Sequence, residues 1–384
     1  MKTIVNIISR EHPLAAYLFV KEQYEPGDQL LFISAHENFD CITPLINVLK
    51  INKEQVQRLV LRRDSDKYTY ERICRAINSV LNHDNTYYVN LAGGTRYMAL
   101  SVQHVFANYN STFFYIQTNE NLIVKTIFDN SIYDNDDEII PIHHRITLAE
   151  YFELYGLTHD INEETQTLVS DGTHCQQMFE MFSKKLLNNN DYKVLDILRE
   201  KYRNWKYIDI DEVEHAVSDK MIPVPNLSKF LKYIHFTPSK PGQLQQNELE
   251  YLTGGWFEEY VYHLIKTNVN PDDIAIGVHI DGCTEIRHNN ELDVCFMKDN
   301  QLYVIECKSG IYSESMFNEI VYKVCALKEV LLGLSCHSFI FSLKKDNDGD
   351  LKKIAQYMDV KFFDYDILTN EELLKKKLKG AIGL

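Results

Sequence analysis

An α/β chain with two sheet-bearing units separated by a helical stretch is predicted by three observations. Residues 1–144 alternate short β-branched runs with helical spacings. Residues 145–242 carry mostly helical spacing. Residues 243–384 hold a hairpin whose two runs end together in charge. With 384 residues, 45% hydrophobic and 12% aromatic side chains, the chain has material for two or three domains and is not disordered.

The elements of the first unit follow in order. Thr3–Ile8 is apolar and β-branched, Leu14–Glu22 has helical spacing, and Gln29–Ser34 reads as a strand. Thr43–Leu49, Lys67–Leu81 and Thr95–Ala107 read as helices; Val56–Leu61 and Thr86–Leu91 read as strands. Phe113–Gln117 and Leu122–Phe128 read as a closing hairpin. This alternation predicts a doubly wound, mostly parallel sheet that binds ligand beyond the C-terminal strand ends. At one such end stands Asn90-Leu91-Ala92-Gly93-Gly94-Thr95-Arg96. Two glycines permit a close turn, Thr95 is placed to cap a helix, and the free N–H groups there suit a phosphate. Arg96 would add a bidentate contact. The pattern is neither a P-loop nor G-x-G-x-x-G, so neither a nucleoside triphosphate nor a dinucleotide is expected. Ser9-Arg10 ends the first strand nearby.

Ile146–Tyr155, Cys175–Leu187, Tyr192–Tyr202 and Leu227–Tyr233 have helical spacing, a helical or winged-helix linker region. His143-His144 is not expected to chelate, since adjacent strand positions point apart. Thr237-Pro238-Ser239-Lys240-Pro241-Gly242 marks the boundary before the last unit.

In that unit Gly254-Gly255 precede a helix with Phe257, Val261, Leu264 and Ile265 as its buried stripe, and Glu258 or Glu259 on it can reach a metal. Glu291–Met297 and Gln301–Lys308 read as strands around the turn Lys298-Asp299-Asn300. If Asp299-Asn300 is a two-residue loop, Lys298 pairs with Gln301 and Asp293 lies opposite Glu306, with Lys308 further along that face. Directly opposed Cβ atoms stand roughly 4.5–5.5 Å apart, so the two carboxylates repel unless a cation or proton sits between them. Mg²⁺ and Mn²⁺ favour such oxygen ligands. A helix is expected from about Ser313 to Leu332.

Glu258, Asp293, Glu306-Cys307-Lys308 and the helix after them resemble the PD-(D/E)xK nuclease superfamily; the proline often found before the aspartate is absent, as the chain reads Asn290-Glu291-Leu292-Asp293. The resemblance implies a catalytic set of Glu258, Asp293, Glu306 and Lys308, with Mg²⁺ or Mn²⁺ held by Asp293, Glu306 and the backbone carbonyl near Cys307. With the Gly93-Gly94-Thr95-Arg96 loop upstream, the chain is similar to the CARF-domain ancillary nucleases of type III CRISPR systems, CARF being the CRISPR-associated Rossmann fold. That implies a Rossmann-like CARF domain over 1–144 and a restriction-endonuclease-like domain over 243–384. It also implies activation by a cyclic oligoadenylate such as cyclic tetraadenylate, and cleavage of single-stranded DNA, RNA or, as nicking, duplex DNA. Ser9, Arg10, Asn90, Gly93, Gly94, Thr95 and Arg96 would contact the activator. A two-fold-symmetric ring suits a homodimer, though a six-membered ring has a two-fold axis too. A second reading keeps the sensor but makes the nuclease fold inactive, leaving a DNA-binding regulator.

Bulk properties bound the partners. Apolar runs fall well short of the roughly eighteen residues read as a membrane span, and Met1–Ser9 reads as a strand rather than a signal peptide. Eight cysteines without a C-x-x-C pair argue for reduced thiols in a cytoplasm and against a zinc site or disulfide framework. The formal net charge of −15 disfavours a broad nucleic-acid surface, so substrate attraction is expected from local patches and the metal, while the runs Lys344-Lys345, Lys352-Lys353 and Lys375-Lys376-Lys377 read as a solvated face.

Overall fold

The computed structural model describes residues 1–62, 69–126, 138–161, 171–206, 227–240, 244–281, 290–310, 314–327 and 336–383. In the first unit β1 (Lys2–Ile8), β2 (Gln29–Ala35), β3 (Val56–Leu61), β4 (Thr86–Asn90) and β5 (Ser111–Gln117) are parallel. Two antiparallel strands, β6 (Leu122–Thr126) and β7 (Glu138–Pro141), complete the order β3-β2-β1-β4-β5-β6-β7. The helices between are α1 (Pro13–Gln23), α2 (Ile42–Leu49), α3 (Tyr70–Asn78) and α4 (Arg96–Phe106). β1 and β2 are apolar on both faces because helices cover both, and each buries all but its first residue. The chain winds outward from β1 to β3 and then returns to β4, so the strand order reverses between β1 and β4. The crevice of a doubly wound sheet opens at that reversal.

The central helices are less of a separate linker than their sequence suggests. α5 (Leu148–Leu154), started by a capping box of Thr147 and Glu150, shares one core with α1, α2 and the second sheet. Thr158–His159 is a short strand, β8, at the edge of that sheet. α6 (Thr173–Ser183), α7 (Asn189–Lys206) and α8 (Leu227–Tyr233) merge with the core of the last unit, where Phe182 stacks on Trp256 at 5.0 Å between centroids. His144 hydrogen-bonds Tyr17 at 2.9 Å while His143 is exposed, so the pair does not converge.

The last unit begins with α9 (Gln246–Glu250), a π turn over Tyr251–Gly255 and α10 (Trp256–Val269). Its sheet contains β9 (Asp273–Asp281), β10 (Asn290–Lys298), β11 (Gln301–Lys308), β12 (Cys336–Ser342) and β13 (Val360–Phe363), in the order β13-β12-β11-β10-β9-β8. α11 (Glu314–Leu327), α12 (Asp350–Tyr357), α13 (Tyr365–Leu368) and α14 (Glu371–Ile382) cover it. No helix among the described residues is long and apolar enough to cross a membrane.

The β10–β11 turn is where the two units lock. Asp299 and Asn300 both have positive φ, 49° and 61°, as a two-residue hairpin turn requires. Asn300 is 1% exposed: its Oδ1 accepts from Ile146 N at 2.9 Å, and its Nδ2 donates to Asn121 Oδ1 at 2.6 Å and His144 O at 2.9 Å. Gln301 donates to Asn119 O at 3.0 Å, and Arg145 pairs with Asp299 at 3.1 Å. The tip of the charged hairpin is thereby tied to the β5–β6 turn of the first sheet.

Candidate active site and ligand crevice

The hairpin pairs Lys298 with Gln301 and Val294 with Ile305, so the next position along sets Asp293 against Glu306. Alternation of faces along the hairpin holds from Val294 onward, with Cys295, Met297, Leu302 and Val304 in one core and Phe296, Tyr303, Ile305 and Cys307 in the other. It fails at Leu292, which packs with Cys295 rather than Val294. Gly277 of the neighbouring strand is left-handed at φ 61°, and strict alternation is broken on both strands beside Asp293.

Asp293 is 7% and Glu306 4% exposed, and a buried charge must find partners. Lys308 Nζ lies 2.8 Å from Glu306 Oε1 and 3.4 Å from Asp293 Oδ2, while Cys307 N donates to Asp293 Oδ2 at 2.7 Å. Lys323 of α11 also reaches Glu306, at 3.2 and 3.3 Å from its two oxygens. Sequence reasoning missed Lys323. The one signal was that it is the sole basic residue of Glu314–Leu327, and which turn of that helix faces β11 is a matter of packing.

The carboxylates divide in their proton affinity. Burial and then the charge of Glu306 push Asp293 up to about 6, against the pull of Lys308 and the Cys307 N–H. Burial, Asp293 and Glu291 push Glu258 well above the usual carboxylate range. Burial alone would raise Glu306 too, but Lys308 and Lys323 outweigh it and hold it low. Lys308 in turn is raised, because Asp293 and Glu306 outweigh its burial. Three carboxylates therefore share two ammonium groups, and two of the three are strained by negative charge. An all-oxygen donor set with unbalanced negative charge fits a hard divalent cation, held by Asp293 and Glu306. The Cys307 side chain packs in the core on the other face of the sheet, where burial pushes its thiol up, and only its backbone stands between Glu306 and Lys308. α10 turns Glu258 toward this cluster and Glu259 away from it, where Tyr251 donates to Glu259 at 2.7 Å.

The second site lies at the β1–β4 crevice. Gly93 (φ 143°) and Gly94 (φ 60°) press against the end of β1: a Cβ on Gly93 would stand 2.2 Å from Ile7 O, and one on Gly94 2.5 Å from Ile7 Cγ2. Thr95 caps α4 by accepting from Met98 N at 3.2 Å. Thr95, Arg96 and Arg10 are exposed at the rim, and Ser9 is buried. Asn90 is fully buried; it donates to Asn6 and accepts from Ala92 N, both at 2.9 Å, and so braces the loop rather than facing the crevice. Asn6 Nδ2 on β1, Ser34 Oγ on β2 and Ser9 Oγ just after β1 are buried without a hydrogen-bond partner. Such orphans are costly unless a ligand or water meets them.

A Rossmann-like sensor sheet joined through its strand turn to a PD-(D/E)xK carboxylate centre defines the class: the chain is a CARF-domain nuclease of the Card1 type. Within it, residues 3–151 match the family described as the Card1 CARF domain, and residues 245–378 the family described as the Card1-like endonuclease domain. Two solved structures share the fold over nearly the whole chain. Protein VC1899 from Vibrio cholerae is 19% identical, with 99% of this chain and 98% of that one covered at a TM-score of 0.72. Can2 from Sulfobacillus thermosulfidooxidans, in complex with cyclic tetra-adenylate, is 18% identical, with 100% and 99% covered at a TM-score of 0.67. No curated protein sequence is similar to this chain.

Proposed function

We propose that the chain is a nuclease switched on by a cyclic oligoadenylate held at Ser9, Arg10 and the Gly93–Arg96 loop, and that Mg²⁺ or Mn²⁺ on Asp293 and Glu306 serves cleavage of single-stranded DNA or RNA. The observation that carries it is the hairpin itself. Its tip is bonded to the sensor sheet through Asn300, and its far end, about 20 Å away at roughly 3.3 Å per residue, carries the paired carboxylates. β5, which leads into the Asn119–Asn121 turn, lies beside β4, whose end carries the glycine loop. A ligand that favours one arrangement of that loop has a bonded route to the cutting end.

When bound, the metal supplies charge neutralisation and a more acidic water. The protein's own residues do the rest. Cys307 N and Lys308 orient Asp293. Lys323 and Lys308 keep Glu306 ionised. The Lys308 ammonium stands ready to offset charge growing on a phosphoryl oxygen. Glu258, with its raised proton affinity, can take up a proton released as the attacking water is used. At the sensor, the orphaned Ser9 Oγ and the α4 N-terminus suit a ribose-phosphate ring. α4 also exposes Tyr97 (45%) and Leu100 (64%) beside the loop, which favours a homodimer that sandwiches the ring between two copies. The intact carboxylate set favours this reading over an inactive nuclease fold acting as a DNA-binding regulator.

The test is a panel of cyclic tri-, tetra- and hexa-adenylates with Mn²⁺ and labelled single- and double-stranded DNA and RNA. Cleavage is expected only with both ring and metal. Undiminished cleavage by Asp293→Ala or Glu306→Ala would overturn the catalytic assignment, and equal cleavage without any ring would overturn the sensing assignment.

A further inference from the structure

On the opposite side of α10 from the catalytic cluster, Cys175, Glu259 and His263 converge. Cys175 sits in the first turn of α6, while Glu259 and His263 are one helical turn apart on α10, where residues four apart share a face. Their ligand atoms all lie within 4.8 Å of one another. Cys175 is fully buried and Glu259 is 3% exposed. His263 Nε2 is buried without a hydrogen-bond partner and faces Glu259 Oε1 at 3.9 Å, beyond hydrogen-bonding distance.

Two features seat these groups. A Cβ on Gly172, itself at φ 81°, would stand 2.8–3.1 Å from three atoms of the His263 ring, so only glycine leaves the imidazole room. Tyr251 donates to Glu259 Oε2 at 2.7 Å and exchanges a hydrogen bond with His174 Nδ1 at 3.2 Å, which orients the carboxylate from behind. Outer partners of this kind are a regular part of metal sites.

We propose that Cys175, Glu259 and His263 form a second metal site, taking one Zn²⁺ or a similar tetrahedral transition metal. A thiolate, an imidazole and a carboxylate suit zinc, whereas the catalytic carboxylates suit Mg²⁺ or Mn²⁺. Zinc bonds of about 2.0–2.3 Å set tetrahedral ligand atoms roughly 3.3–3.6 Å apart, so closure needs movements of only about 1 Å or less. On binding, the thiol gives up its hydrogen bond to Gly172 O at 3.1 Å and releases its proton to solvent, and the fourth position takes a water. The ion would staple α6 to α10 one residue from Glu258, holding the helix that aims Glu258 at the catalytic centre. The cysteine spacing in the sequence argues against zinc because the ligands come from two helices 84 positions apart, a separation that no local motif marks. Burial of Cys175 and Glu259 also separates this cluster from a Cys-His-Glu nucleophile, which needs an open path to substrate.

The experiment uses the full chain carrying Asp293→Asn, which weakens the catalytic metal site, stripped with chelator and titrated with Co²⁺. One ion per chain is expected, with a sulfur-to-cobalt charge-transfer band that Zn²⁺ displaces. The band should vanish in Cys175→Ser, which is close to isosteric, and weaken or vanish in His263→Gln, which lies nearer the surface. Absence of a sulfur band in folded protein overturns the site. So does a band that survives unchanged in either variant, since seven further cysteines are present in the sequence.

Discussion

Replacing Asp293 by asparagine should abolish cleavage and yet stabilise the metal-free protein at pH 8. Burial and Glu306 raise this carboxyl from 3.8 to about 6, so the fold prefers its neutral form. The cost of ionising it in the folded state is absent below pH about 4, grows between about 4 and 6, and is complete above. Roughly two pH units at 1.36 kcal/mol each amount to about 3 kcal/mol. The amide keeps an oxygen for the Cys307 N–H and carries no charge, so it escapes that cost. Glu306, with its depressed proton affinity, acts in the opposite sense, but it is present in both proteins and largely cancels in the difference. Urea unfolding in chelator, from pH 5 to pH 8, should show the advantage of the Asp293→Asn variant widening as pH rises to about 6 and then levelling. Adding Mn²⁺ should reverse the order, because ligand binding stabilises only the protein that binds it. A variant less stable than the parent at pH 8 in chelator, or one equally favoured at every pH, would refute the electrostatic argument.

Three further outcomes follow from the geometry. Lys323→Met removes one of the two ammonium groups that hold Glu306 low, so the acid limb of the cleavage pH profile should move to higher pH, as read from initial rates. Gly93→Ala drives a methyl into Ile7 O and should weaken cyclic tetra-adenylate binding by about tenfold or more, equivalent to about 1.4 kcal/mol, in calorimetry, while leaving metal binding at the nuclease centre unchanged. Asn300→Gly keeps the positive φ of the turn but deletes three buried hydrogen bonds; at about 1 kcal/mol each it should cost about 3 kcal/mol and blunt ring-stimulated cleavage more than ring affinity, measured side by side.

Much of this was legible from residue order. A two-residue Asp299-Asn300 loop was enough to set Lys298 against Gln301 and bring Asp293 to Glu306, because a hairpin has only a period of two to satisfy. The same holds for Gly93-Gly94-Thr95, where a strand stops, turns and caps a helix within a few residues. Asn90 was harder to assign: its chemistry suits a ligand, but only the pairing of β1 with β4 sets it against Asn6, which consumes its amide.

The chain by itself determined the two sheets and the pairing of carboxylates across a turn, since those depend on neighbours a few residues apart. Tertiary structure alone decided which of Glu258 and Glu259 faces the cleft, that Lys323 reaches Glu306 from another helix, and that Asn300 bolts the hairpin to the sensor sheet. It alone brought Cys175 to His263. Each of these depends on how one helix or turn is rotated against another, and that rotation is set by side chains packing across long separations in the chain.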